Sequence, residues 1–134
     1  GTTLNTDYTA TDGSTIYWDN SANTGFNDHI TGIGLDQSTG LNQKQAKSSI
    51  SDALLSIGLD TIVETNELNS ANHSANLSFL LCGSNSGSIS FTTTGAPAGD
   101  EILGRKWKVN ERGSIGTVRL RFPSSSSSLS TNRF

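Results

Sequence analysis

The chain has 134 residues, enough for one domain that buries roughly two thirds of its unfolded surface. Only 32% of residues are apolar and 16% charged, while Ser, Thr and Asn number 21, 16 and 12 and Met is absent; this is unlike the Leu-, Ala-, Glu- and Lys-rich average of cytosolic domains and points to an extracellular or cell-surface setting. A net charge of −3 argues against a nucleic-acid partner, and no run approaches the ~18 apolar residues that cross a bilayer, so membrane insertion is not expected.

The first thirteen residues, GTTLNTDYTATDG, are polar and threonine-rich and are bounded by turn residues. They read either as a strand within their own sheet or as an edge or donated strand that meets a second copy. STIYWD (14–19), HITGIGL (29–35), ALLSIGL (53–59), TIVET (61–65), LSFLLCG (77–83), GSISFTT (87–93), KWKVN (106–110) and GTVRLRF (116–122) follow as short β-branched or aromatic stretches. Most alternate with period two between Gly, Asn or Asp. In STIYWD the alternation places Ile16 and Trp18 on one face and Tyr17 on the other, with Trp18 read as a core residue. NQKQAKSSISDALL (42–55) contains helix formers, but its Gln/Lys alternation suits an exposed strand.

About eight strands joined by turn chemistry predict an all-β domain over residues 1–122, an antiparallel β-sandwich of jelly-roll-like form. KWKVNERGSIGTVRLRF (106–122) reads as a hairpin with one core face and one basic face. PSSSSSLSTNRF (123–134) has little to bury and reads as a Ser-rich tail or linker. Charge is divided along the chain. Residues 1–67 hold nine of the twelve acids, and 105–121 hold six bases against Glu111. A basic hairpin meeting an acidic surface is expected, within the domain or on a neighbour.

Catalytic chemistry has little to stand on. His29 and His73 are the only side chains that titrate near neutral pH without a large shift. Cys82, the single cysteine, follows the apolar run LSFLL and reads as a buried strand residue, so no enzyme and no cofactor are expected. DQSTG (36–40) has an Asp and a Ser at alternate positions before a Gly, which makes Asp36 and Ser38 candidate ligands for a metal, calcium in particular. The twelfth position of such a loop is Lys47 rather than Glu, and an Asp that hydrogen-bonds its own turn remains the alternative. In GIGLDQSTGLNQKQAKS, Gly32 and Gly34 read as sites of close backbone approach, Gly40 as the turn, and Asn42, Gln43 and Gln45 as amides bound to neighbouring backbone.

Four stretches carry a resemblance: GTTLNTDYTATDGSTIYWD (1–19), FNDHITGIGLDQSTGLNQKQAKS (26–48), SFLLCGSN (78–85) and RKWKVNERGSIGTVRLRF (105–122). Their order and spacing resemble an uncharacterised β-rich domain that recurs in large bacterial cell-surface and secreted proteins, often after a lectin-like jelly-roll domain. This chain has Leu35 where the pattern has Arg and Thr39 where it has Ser. The resemblance implies an extracellular or cell-surface setting and modularity, and no site residues.

Two functions from different classes are expected on these grounds. One is a non-catalytic structural module of a bacterial surface or extracellular assembly, with itself or neighbouring domains as partners, self-associating into a filament through strand or edge contacts. The other is an adhesion module that binds a glycan or a peptide, with calcium as the assisting ion.

Overall fold

The computed structural model describes residues 6–48 and 55–122. The segments 1–5 and 49–54 and the Ser-rich stretch 123–134 lie outside the described residues, and so do the expectations that fall on them. In chain order the strands are β1 (Tyr8–Thr9), β2 (Ile16–Trp18), β3 (Asp28–Asp36), β4 (Leu41–Gln43), β5 (Gln45–Lys47), β6 (Ser56–Leu59), β7 (Ser78–Ser84), β8 (Phe91–Thr92), β9 (Ile102–Leu103), β10 (Trp107–Arg112) and β11 (Val118–Arg121). Every pairing among them is antiparallel. No helix occurs among the described residues.

A four-stranded sheet in the order β10-β7-β3-β4 forms the middle layer. Its central strand β7, SFLLCGS, is buried throughout, which is why it reads as an unbroken apolar run rather than an alternation. Leu80 and Cys82 face a three-stranded sheet, β11-β6-β5, and form a core there with Ile33, Leu55, Ile57, Leu59 and Ile115. Phe79 and Leu81 face the other way and pack with Ala10 and Trp18 of the β1–β2 segment. The result is a sandwich of four and three strands with a small hairpin laid over its outer face.

The expected hairpin at 106–122 is instead an arch between the two sheets. β10 pairs with β7 and β11 pairs with β6, so the two strands share no ladder. The cause lies in the connection, GSIGT. Ile115 is 2% exposed and enters the core between the layers, and its N–H donates to Glu111 Oε1 at 3.1 Å. Gly113 and Gly116 hold φ of 76° and 86°, in the left-handed region that a side chain would disfavour, and so turn the chain on either side of the buried isoleucine. The two strands meet through side chains, with the Trp107 and Phe122 rings edge to face at 5.2 Å. The core-face expectation fails on β11, where Leu120 is exposed like the arginines beside it, as is Phe122 just past the strand.

The chain changes sheets a second time at Lys44, between β4 and β5. Asn66 fixes that corner: its Oδ1 accepts from the N–H of Lys44 at 2.7 Å and of Gln45 at 3.2 Å, and its Nδ2 donates to the Asn42 carbonyl at 3.0 Å. TIVET is loop rather than strand. Asp60 takes φ 59°, and the Thr61 N–H turns back to the Leu59 carbonyl at 2.6 Å, which ends β6. What would have been a ladder partner for Val63 is the amide of Gln45, which accepts from the Val63 N–H and donates to its carbonyl, each at 3.0 Å. Gln43 likewise donates to the Gln45 carbonyl, while Asn42 enters through its backbone carbonyl, which accepts from Asn66.

Strands thus number eleven among the described residues rather than about eight. The 42–47 stretch is split in two by the Lys44 corner, GSISFTT shrinks to β8, and β9 had no strand signal of its own. The N-terminal stretch pairs within its own chain, Tyr8 with Trp18 and Thr9 with Ile16. Trp18 is fully buried as expected, but Ile16 is 40% exposed and Tyr17 stacks on Phe79 at 4.3 Å. A register shift between Tyr8 and Thr9 breaks the simple alternation there.

Candidate functional site

Because the chain leaves the middle sheet at Lys44, β4 covers only part of β3. β4 pairs with Gly34, Leu35 and Asp36, whereas β7 runs beside β3 from Asp28 to Leu35. A groove of about 200 Å³ opens where β4 stops, with walls that include Tyr8, Tyr17, Leu41, Gln43 and Phe79. Its floor carries no side chain at Gly32 and Gly34. A Cβ on Gly32 would lie 2.5 Å from the Leu80 carbonyl, and one on Gly34 would run into the Phe79 ring, so the glycines let Phe79 and Leu81 lean across β3 from their cross-strand positions. Tyr8, Tyr17 and Phe79 form a row, with ring centroids 5.9 Å and 4.3 Å apart. Burial, then the neighbouring Tyr8 and Asp36, raise the Tyr17 hydroxyl above its ordinary value of 10.0, so it is a neutral donor at neutral pH.

Asp36 and Ser38, the candidate metal ligands, are brought together at the end of β3, and Thr11 joins them from 25 residues away. Asp36 is 3% exposed. Its Oδ1 accepts from the Ser38 hydroxyl at 2.6 Å and the Ser38 N–H at 3.1 Å. Its Oδ2 accepts from the Thr11 hydroxyl at 2.7 Å and the Thr11 N–H at 3.2 Å. The two hydroxyls also touch each other. These donors, Ser38 first and Thr11 next, hold the carboxyl below its ordinary value against an opposing effect of burial. A cation at this point has to displace hydroxyl donors from both oxygens. Among the described residues no three His, Cys, Asp or Glu side chains gather as a metal centre. Thr11 had no signal in the sequence, since nothing local links TDGS to DQSTG.

Other acidic turns are built alike. Asp12 accepts from the N–H groups of Ser14 and Thr15 at 3.0 and 2.8 Å and from the Thr15 hydroxyl at 2.5 Å, and these bonds, Thr15's foremost, lower its pKa to about 2. Asp19 accepts from the Ala22 N–H and the Ser21 hydroxyl, both at 2.8 Å, and is lowered by them with a smaller contribution from Lys108. Lys108 itself reaches the Ala22 carbonyl at 2.7 Å, so part of the basic stretch does meet an acidic turn of its own molecule.

His29, at φ 53° in a bulge of β3, is 2.8 Å from the hydroxyl of Ser84, which is fully buried. His73 Nε2 donates to the Gln43 carbonyl at 3.0 Å, and its Nδ1 is buried with no partner among the described residues. Burial lowers the His73 pKa. Cys82 is fully buried, and desolvation pushes its thiol up to about 12. Its expected place in a buried strand is met.

The lowered pKa values of His73, Asp12 and Asp36 act in one direction on stability. A folded-state pKa below the unfolded one means that the unfolded chain binds protons first, so stability falls as pH falls. Unfolding temperature is expected to decline first below pH 6.5, the ordinary value for His73, and again from 3.8 toward about 2, the interval of Asp12. Thermal unfolding of wild type and of Asp12→Asn and Asp36→Asn checks this, since each variant should flatten the lower limb. An unchanged slope below pH 4 in both would refute the assignment.

No curated protein and no solved structure matches the chain. A family model described as Domain of unknown function (DUF8202) matches residues 1–134, and the chain belongs to that family.

Proposed function

We propose that the domain is a non-catalytic structural module of a bacterial extracellular or cell-surface assembly, and that it associates with further copies or neighbouring domains through its open sheet edges. One observation carries this reading. β10 and β11 are the end strands of their sheets, each paired on one side only among the described residues, and they lie over one another through Trp107 and Phe122. The two edges present Val109, Leu120 and Phe122 at 46%, 38% and 50% exposure, with Arg112, Arg119 and Arg121 exposed among them. Unpaired strand edges with apolar side chains are templates for a further strand, and the arginines favour an acidic partner face. The tied-down histidines and the buried Cys82 support the non-catalytic part.

Sedimentation velocity of the whole chain over a concentration series, at low and at high salt, tests it. Concentration-dependent association that weakens in high salt and in Val109→Lys/Leu120→Lys is the expected result. A strictly monomeric wild type at the highest concentration and lowest salt overturns it.

A second reading, a glycan- or peptide-binding adhesion module, is favoured by the aromatic groove beside β3. Calcium assistance in that reading would use Asp36 and Ser38 at the cost of their present hydrogen bonds.

A further inference from the structure

We infer that residues 70–75 form a flap that mild acid opens: a proton taken up by His73 releases the segment from β4 while the sheets stay folded. The inference is independent of both readings of function.

The segment SANHSA hangs between two fixed points. Asn69 is fully buried, and its Nδ2 donates to the Leu59 and Thr61 carbonyls at 3.2 and 3.0 Å. At the far end Asn76 Oδ1 accepts from the Gln37 N–H at 2.8 Å. Between these anchors only Ala71 and His73 turn inward, whereas Ser70, Asn72, Ser74 and Ala75 are exposed. Ala71 lies against the larger core cluster. Among the described residues two side-chain bonds hold the middle of the segment: His73 Nε2 donates to the Gln43 carbonyl and the Ser74 hydroxyl to the Ser114 carbonyl, each at 3.0 Å. Gln43 is the last residue of β4, which is itself the end strand of the middle sheet.

The latch is built for one protonation state. A carbonyl can only accept, so Nε2 carries the hydrogen and Nδ1 keeps a lone pair. That nitrogen is buried and has no partner among the described residues. A second proton would turn it into a charged donor with no acceptor in a place closed to water. Burial opposes the added charge most, and Lys44, next to Gln43 in the chain, opposes it further; no carboxylate acts on the ring in its favour. On the arch that Ser74 touches, the Glu111 carboxylate is taken by the Ile115 N–H, and Arg112 beside it is a further positive charge.

Once the flap swings out, both ring nitrogens meet water and the proton is accepted at the ordinary value of 6.5. The open form therefore gains on the closed one by about tenfold for each pH unit below that value, until the closed form is protonated too. Against this the flap sets one alanine, one imidazole and two hydrogen bonds, so it opens before the sheets do.

The test is the amide heteronuclear NOE of the isotope-labelled whole chain at about pH 7.5 and about pH 5, either side of the histidine range. NOEs at 72–75 are expected to fall in acid along the titration of the His73 ring, with Leu80 and Cys82 of β7 unchanged. His73→Gln keeps a donor for the Gln43 carbonyl and takes up no proton, so its flap should be as rigid in acid as at neutral pH. His73→Ala should be loose at both. The inference is overturned if the ring takes up its proton while 72–75 stay rigid, or if His73→Gln loosens in acid as wild type does. Loss of order in β7 at the same pH also overturns it, since the acid step would then be unfolding of the whole domain.

Discussion

Replacing Trp18 with alanine is expected to remove about 3–5 kcal/mol of folding stability, a large share of the ~5–15 kcal/mol available to a domain. The indole is fully buried, and its Nε1 donates to Asn27 Oδ1 at 2.8 Å. It rests on Gly83, where a Cβ would lie 2.7 Å from its Cζ2. Truncation opens a cavity in the smaller core cluster and leaves the buried Asn27 oxygen without its donor, so transfer, cavity and polar costs add. Denaturant unfolding gives the test through the midpoint at unchanged slope. A midpoint shift worth less than about 1 kcal/mol would mean that the β1–β2 hairpin does not seal the middle sheet.

The second large effect is expected at Ile115, where alanine should cost about 2–5 kcal/mol. The comparison is sharp because the two possible geometries of 106–122 differ most at this residue. At the tip of a solvent-exposed hairpin its loss would cost within about 0.5 kcal/mol. In the arch it is 2% exposed and packs among Ile57, Leu80 and the rest of the larger cluster. Equilibrium unfolding of Ile115→Ala beside Leu120→Ala, whose side chain is 38% exposed, separates the two. Equal small effects from both would rule the arch out.

That pair of residues also marks what was legible in the sequence. Period-two alternation located β2, β3, β10 and β11, and the continuous run LSFLLC located β7, because each pattern records which faces of a strand are covered. Alternation carries no information about which strand lies alongside. Proximity alone therefore pairs KWKVN with VRLRF, although the Ile in GSIGT is the wrong residue for an exposed tip. TIVET has strand composition, but its backbone is satisfied by the Gln45 amide, a contact from 18 residues away. The DQSTG turn was readable as an Asp binding its own turn, since the Ser38 bonds are local, whereas Thr11 was not. The groove was half visible: Gly32 and Gly34 announced a close approach, but the gap beside them arises from the Lys44 corner and from Asn66, which no local pattern connects.

β7 has a kinetic consequence. It receives β3 from well before it in the chain and β10 from well after it, and the Asn110 side chain then closes onto the Tyr17 carbonyl across 93 residues. Few of the bonds that finish the middle sheet are local, so chain closure must be completed before most of the buried surface is gained. Such wiring belongs to folding on the order of milliseconds to seconds rather than microseconds. During synthesis the apolar strand SFLLC emerges before β10 exists to cover its far side, and that interval is when the chain is most open to pairing with the wrong neighbour.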